Sequence, residues 1–325
     1  MILIVMITLL IFITKSRIAL LLTMGLLVLS ACGGGDVGGE SERPLVVTTT
    51  TIWGDVVSQI VGDEADVDVL IPRGADAHDF EPAPRDVALL HEADLVVVNG
   101  LGLEQGMSAV LEAAVADGAN VLEVAPLLDP IPFTRHHDEE DHSIDDGHDH
   151  DADPHVWLDL IRVATATSHI ADRLSEVDDS ADWQAKADTY SRALIEADAE
   201  AARILDGVED RRLLTNHEAL GYFANRFDFE IVGVVIPGGS TLAEPSASEL
   251  AALVQTMRDL GIDTIFAETT SSTRLAEAVA EEAGEDVSVV ELHTESLGKP
   301  GSGADTLIGL TLSNARTVSD RLAAR

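Results

Sequence analysis

From residue 45 onward, short runs of β-branched residues alternate with segments whose apolar positions recur at helical spacing. The N-terminal runs are LVVTTT (45–50), VDVLIP (67–72), LVVVNG (95–100) and VLEVAP (121–126), separated by helical patterns at 52–62, 84–93 and 104–117. Gly62 and Gly118 stand where a helix C-terminus needs a left-handed residue. The rhythm returns after residue 206 with LLT (213–215), EIVGVVIP (230–237), TIFAET (264–269) and SVVEL (288–292). Ser246 and Glu249 read as a capping box for a helix ending near Gly261, Gly284 closes the next, and 304–324 supplies the last. Strand–helix alternation of this kind predicts parallel βαβ units. The expected fold class is therefore α/β, with two similar lobes, each holding a four-stranded, mainly parallel sheet flanked by helices.

Between the lobes, residues 182–206 place Trp183, Ala187, Tyr190, Leu194, Ala197, Ala201 and Ile204 on one stripe. A helix of that length spans roughly 35 Å, the length of a whole lobe. The halves are thus expected to be joined by a long rigid helix.

The 31 residues at the start of the chain contain no acid, and Lys15 and Arg17 precede the apolar stretch 18–29, which is short for a membrane span and right for a signal-peptide core. A further apolar segment lies before Lys15. LSAC (29–32) resembles a bacterial lipobox, which makes Cys32, the single cysteine, the expected site of lipidation and leaves no disulfide. The expected organisation is a signal peptide (1–31), a lipid-proximal linker (32–44), an N-terminal lobe (45–157), linking helices (158–206) and a C-terminal lobe (207–325). The formal net charge of −38 disfavours nucleic acid and favours cations.

The eleven histidines are unevenly spread. Five of them (His136, His137, His142, His148, His150) fall in a segment, 136–151, with hardly any apolar residue, which reads as a solvated loop and a weak auxiliary trap for divalent metals. His91 and His169 sit inside helical patterns and read as structural or surface residues; His293, at a strand end, stays undecided. His78, His155 and His217 each stand at a junction of a strand or loop with a helix. Ligands of parallel sheets bind beyond the carboxyl ends of the strands, so His78 and His217 can face each other across a cleft. GLGLEQG (100–106) reads as a turn rather than a dinucleotide fingerprint, GKPGSG (298–303) has the wrong order for a phosphate loop, and no His-Glu-x-x-His helix occurs.

The order GADAHDFEP (74–82), acidic His-rich loop, DPHVWLD (153–159), TNHEALGYFANRF (215–227) and LHTESLGKPGSGADT (292–306) resembles the zinc/manganese-binding solute-binding lipoproteins of bacterial ABC importers. The likeness runs from residue 45 to the C-terminus. It implies three histidine ligands matching His78, His155 and His217, and a fourth, usually an aspartate, matching Glu295; Glu268 and His293 are the alternatives. It also implies an exported, lipid-anchored monomer that hands its ion to a permease and its ATPase without large hinge closure. Three imidazoles and one carboxylate suit tetrahedral Zn²⁺, whereas Mn²⁺ prefers more oxygen ligands. Manganese import is the runner-up. A zinc hydrolase would leave its fourth position to water, so Glu295 discriminates: if it closes the shell, no water is left to activate; a zinc-buffering adhesin would share every residue quoted. Binding through neutral imidazoles predicts affinity falling below about pH 6.5.

Overall fold

The computed structural model describes residues 43–133 and 152–323. Cys32 and the imidazoles at 136, 137, 142, 148 and 150 lie outside the described residues. The first sheet contains β1 (Leu45–Thr48), β2 (Asp66–Val69), β3 (Leu95–Val98) and β4 (Val121–Glu123), in the order β2-β1-β3-β4. The second contains β5 (Arg212–Thr215), β6 (Glu230–Val234), β7 (Thr264–Glu268) and β8 (Ser288–Leu292), in the order β6-β5-β7-β8. Each strand pairs in parallel with its neighbours. The two halves therefore share one topology, as the alternating pattern predicts.

The helices form where local chemistry starts and stops them. In α1 (Thr51–Val61), the Thr50 hydroxyl accepts from Trp53 N (3.2 Å), satisfying one of the free amides of the first turn. The helices α2 (Pro84–Glu92) and α3 (Ser108–Ala116) complete the first half. Asp159 and Asp182 cap α4 (Leu160–Val177) and α5 (Trp183–Leu205) in the same way. After α6 (Gly221–Phe227), the capping box of Ser246 and Glu249 opens α7 (Ala247–Leu260), which Gly261 closes in the left-handed region at φ 67°. Helices α8 (Arg274–Ala283) and α9 (Leu307–Leu322) finish the chain.

Six of the eight strands end before their sequence runs do, β2 and β6 among them. β2 stops at Val69, although Leu70 N and Ile71 N still donate to Thr48 O and Thr49 O (2.9 and 2.8 Å) before Pro72, which has no N–H. β6 stops at Val234, with Val235 N and Ile236 N donating to Thr215 O and Asn216 O before Pro237.

The joining rod is α5, which packs on α4, on α1 of the first half and on α9 of the second. Its buried stripe is the predicted one, except that Leu205 replaces Ile204 and Asp198 joins it. Asp198 is admitted because Arg226 Nε reaches it at 2.9 Å, and a buried carboxylate is tolerated when paired. One continuous apolar core runs through both halves, from Val46 and Trp53 to Leu310 and Val318. A smaller cluster, including Leu253, Met257 and Val279, lies under α7 and α8. Among the described residues no helix is long and apolar enough to cross a membrane.

Candidate metal centre

In each sheet the strand order reverses between the two central strands, and the crevice beyond their carboxyl ends is where such sheets take ligands. In the second sheet those strands are β5 and β7. His217 follows β5 by two residues, and Glu268 is the last residue of β7. In the first sheet the matching place is filled by the chain itself. The Glu104 carboxylate is buried there and accepts from Thr49 Oγ1 (2.7 Å) and from the backbone amides of Asn99 (2.7 Å) and Gly100 (3.2 Å). The turn expected at 100–106 is present, with Leu101 at φ 55° between two positive-φ glycines. Asn99 in turn accepts from Trp53 Nε1 (3.0 Å) and donates to Pro154 O (2.9 Å), which fixes the segment that carries His155.

His78 lies in the loop after β2. Its amide donates to Asp76 (2.8 Å) and its carbonyl accepts from Gly106 N (2.9 Å). That approach requires glycine, because a Cβ on residue 106 would lie 2.5 Å from Phe80 O. The Nδ1 of His155 meets Asp153 Oδ1 at 2.7 Å, and the Nδ1 of His217 meets Glu268. Each carboxylate fixes a ring so that Nε2 points inward.

The structure brings His78, His155, His217 and Glu295 together, with one donor atom of each within 4.8 Å of the others, all four residues being buried. Glu295 Oε1 lies 3.1 Å from His78 Nε2, 3.1 Å from His217 Nε2 and 3.5 Å from His155 Nε2. The Nε2 atoms of His155 and His217 are 3.3 Å apart. A tetrahedron with arms of about 2.0–2.1 Å has edges of about 3.3–3.4 Å, so these separations are those of donors around a zinc-sized ion. Both ring nitrogens of His78 and both carboxylate oxygens of Glu295 are buried without a hydrogen-bond partner. Leaving such atoms unsatisfied is costly, and one cation at their centre would satisfy them together.

Electrostatics agrees. Burial alone would depress the pKa of His217, but Glu268 and then Glu295 override it and hold it well above the ordinary value. Burial would likewise depress His155, and Asp153 overrides it. Burial pushes Glu295 up, but the three facing imidazoles outweigh it and hold its carboxyl well below the usual range. Three carboxylates facing three imidazoles make a place for positive charge.

The two alternative fourth residues stand elsewhere. Glu268 faces the outer nitrogen of His217, and His293 is half-buried with its backbone amide and carbonyl both bonded to Asn314. His91 is exposed and His169 half-buried within their helices. Sequence reasoning missed three contributions: the contact of Asp153 with the His155 ring, the buried carboxylate of Glu104 and the orienting role of Glu268. Asp153, two residues before His155, is the one that position alone could have suggested.

Residues 46–321 match the family described as zinc-uptake complex component A, periplasmic. The chain is 30% identical to the manganese-binding lipoprotein MntA of Halalkalibacterium halodurans, over 90% of this chain and 93% of the relative. It is 31% identical to the zinc-binding protein AdcA of Streptococcus pyogenes serotype M3, over 85% of this chain but only 56% of that longer relative. Among solved structures, the periplasmic zinc-binding protein TroA of Treponema pallidum superposes with a TM-score of 0.75 at 26% identity, covering 87% of this chain and 100% of TroA. A manganese-bound periplasmic metal-binding protein of Candidatus Liberibacter asiaticus superposes with a TM-score of 0.72 at 26% identity.

Proposed function

Because the chain belongs to the family of the zinc-uptake complex component A, we propose that it captures Zn²⁺ outside the cytoplasm and delivers it to an ABC-type permease. His78, His155, His217 and Glu295 are the ligands in this reading. The observation that carries it is the group of four buried donor atoms facing one another, those of His78 and Glu295 without a hydrogen-bond partner. With Glu295 closing the fourth position no site remains for a water to be activated, so the protein is a carrier and not a hydrolase. Export, and anchoring through Cys32, belong to the same reading, as do the permease and its ATPase as partners and a monomeric state.

Manganese is the second reading. It is favoured by a relative that is named manganese-binding and aligns over 90% of this chain, and by Glu295 Oε2, a buried oxygen available as an extra donor. Equilibrium dialysis of the full chain with both ions in competition separates the two. The zinc reading expects one tight zinc per chain that excess manganese does not displace; displacement by manganese at equal concentration would reverse the assignment. For transport, cells lacking this protein are expected to grow poorly when zinc is limiting and to recover with the wild-type chain but not with an Asp153, His155 double alanine variant. Equal recovery with both would refute the carrier role.

Removing the carboxylate behind a ligand tests the site more finely. Glu268→Ala frees the His217 ring to turn, and zinc affinity is expected to drop about 10- to 100-fold in chelator competition. Deleting 136–151, by contrast, is expected to leave the tight site unchanged and to remove only weaker additional ions. On either side of that segment Pro132 and Ala152 are paired by an antiparallel bridge, and none of the four proposed ligands lies within it.

A further inference from the structure

Glu295 follows β8 of the second half in sequence, yet its loop is held by the first half. His293 is still bonded to Asn314 of α9, and Leu292 O accepts from Thr269 N. From the next residue onward the partners change. Trp157 Nε1 donates to Thr294 O (2.6 Å), and Gly74 N donates to Ser296 Oγ (2.8 Å). Leu297 N donates to Thr51 Oγ1 (3.1 Å), and Arg73 Nη1 donates to Gly298 O (2.7 Å). Thr51, Trp157, Thr294 and Ser296 are all buried, so water does not compete for these bonds. His217 is held differently: its ring by Glu268 and its carbonyl by Thr215 Oγ1 (2.8 Å), both from the second half.

We propose that Thr51 and Trp157 are positioning residues for Glu295, fastening it beside His78 and His155 so that His217 is the single ligand carried by the second half. The inference rests on the metal-carrier reading and deepens it. The first half then presents a three-donor partial site, and a small displacement of the second half opens the coordination shell at one bond, His217, rather than at two. The place of Glu295 in that partial site depends on a threonine hydroxyl and an indole N–H that touch no metal.

The test is zinc release from the full chain into excess chelator, with the visible absorption of the Co²⁺-loaded protein as a signature of its ligands. Thr51→Val keeps the shape of the side chain and removes the acceptor of Leu297 N. It is expected to speed release about tenfold and to change the Co²⁺ spectrum, as loss of an orienting partner does elsewhere, while Thr51→Ser restores both. Trp157→Phe is expected to act in the same direction and serves if Thr51→Val fails to fold. In a Glu295→Gln background, Thr51→Val is expected to add nothing further, because both changes act through one carboxylate. Unchanged release and spectrum in a folded Thr51→Val or Trp157→Phe protein would overturn the inference, as would an additive effect on Glu295→Gln. Failure of the wild-type chain to hold zinc would instead overturn the carrier reading itself.

Discussion

Replacing His155 with alanine is expected to weaken zinc binding by about two to three orders of magnitude in chelator competition. Structural zinc sites contribute about 10–16 kcal/mol in all, so one of four ligands is worth about 3 kcal/mol. That share applies undiluted to His155. Its ring is fully buried, its Nδ1 is held by Asp153, and its Nε2 lies between His217 and Glu295. Removing it also leaves the buried Asp153 side chain without its ring partner, which adds the cost of a buried acceptor deprived of a hydrogen bond. The exposed His91 is the control, and His91→Ala should bind zinc as the wild type does. A His155→Ala protein binding within a factor of three or so of wild type would place the ion somewhere else.

The second large effect is on pH. The pKa of His217 is held well above 6.5 and that of His155 is raised, so in the metal-free protein both rings hold a proton to higher pH than a free imidazole does, and zinc competes with it. Zinc affinity therefore begins to fall at a higher pH than the ordinary imidazole value of about 6.5 suggests. With two protons displaced per ion, the fall approaches about a hundredfold per pH unit. Metal-free stability runs the other way. A raised histidine contributes stability that is fully present below pH 6.5 and is lost as pH rises through the folded value. The depressed Glu295 contributes stability that is present above pH 4.5 and is lost as pH falls through its folded value. The metal-free chain is expected to be most stable between those limits, and its Tm to be higher at pH 5.5 than at pH 8, while zinc affinity is higher at pH 8. Calorimetry and chelator competition at the two values check both. A Tm and an affinity that rise together with pH would contradict the charge arrangement described.

What could be read from the sequence is what local patterns encode. Within the runs at 95–100 and 264–269, β3 and β7 are buried along their whole length, and the caps at Ser246 and Gly261 lie where their chemistry demands. His78, His155 and His217 were legible because each interrupts an element boundary with a residue of distinctive chemistry. Glu295 was legible only through family resemblance, since an acid in a loop of so acidic a chain carries no signal of its own. The ranking of Glu268 as an alternative ligand shows the same limit. Whether an acid at a strand end faces the inner or the outer nitrogen of a ring depends on the pairing of β5 with β7, which no local pattern states. Contacts such as Thr51 with Leu297, separated by 246 residues, are properties of the assembled lobes. The buried Glu104 was read as part of a turn, and so it is, but its bonds to Thr49, Asn99 and Gly100 link β1 and β3 and could not be seen from the turn alone.

The central claim is that four side chains, distant in sequence, surround one zinc ion. Crystals of the full chain grown with zinc, with diffraction collected on both sides of the zinc absorption edge, test it directly. The account predicts one strong anomalous peak about 2.0–2.2 Å from the Nε2 atoms of His78, His155 and His217 and from a carboxylate oxygen of Glu295. A peak bound by other residues, with these four still facing one another across an empty centre, would contradict it.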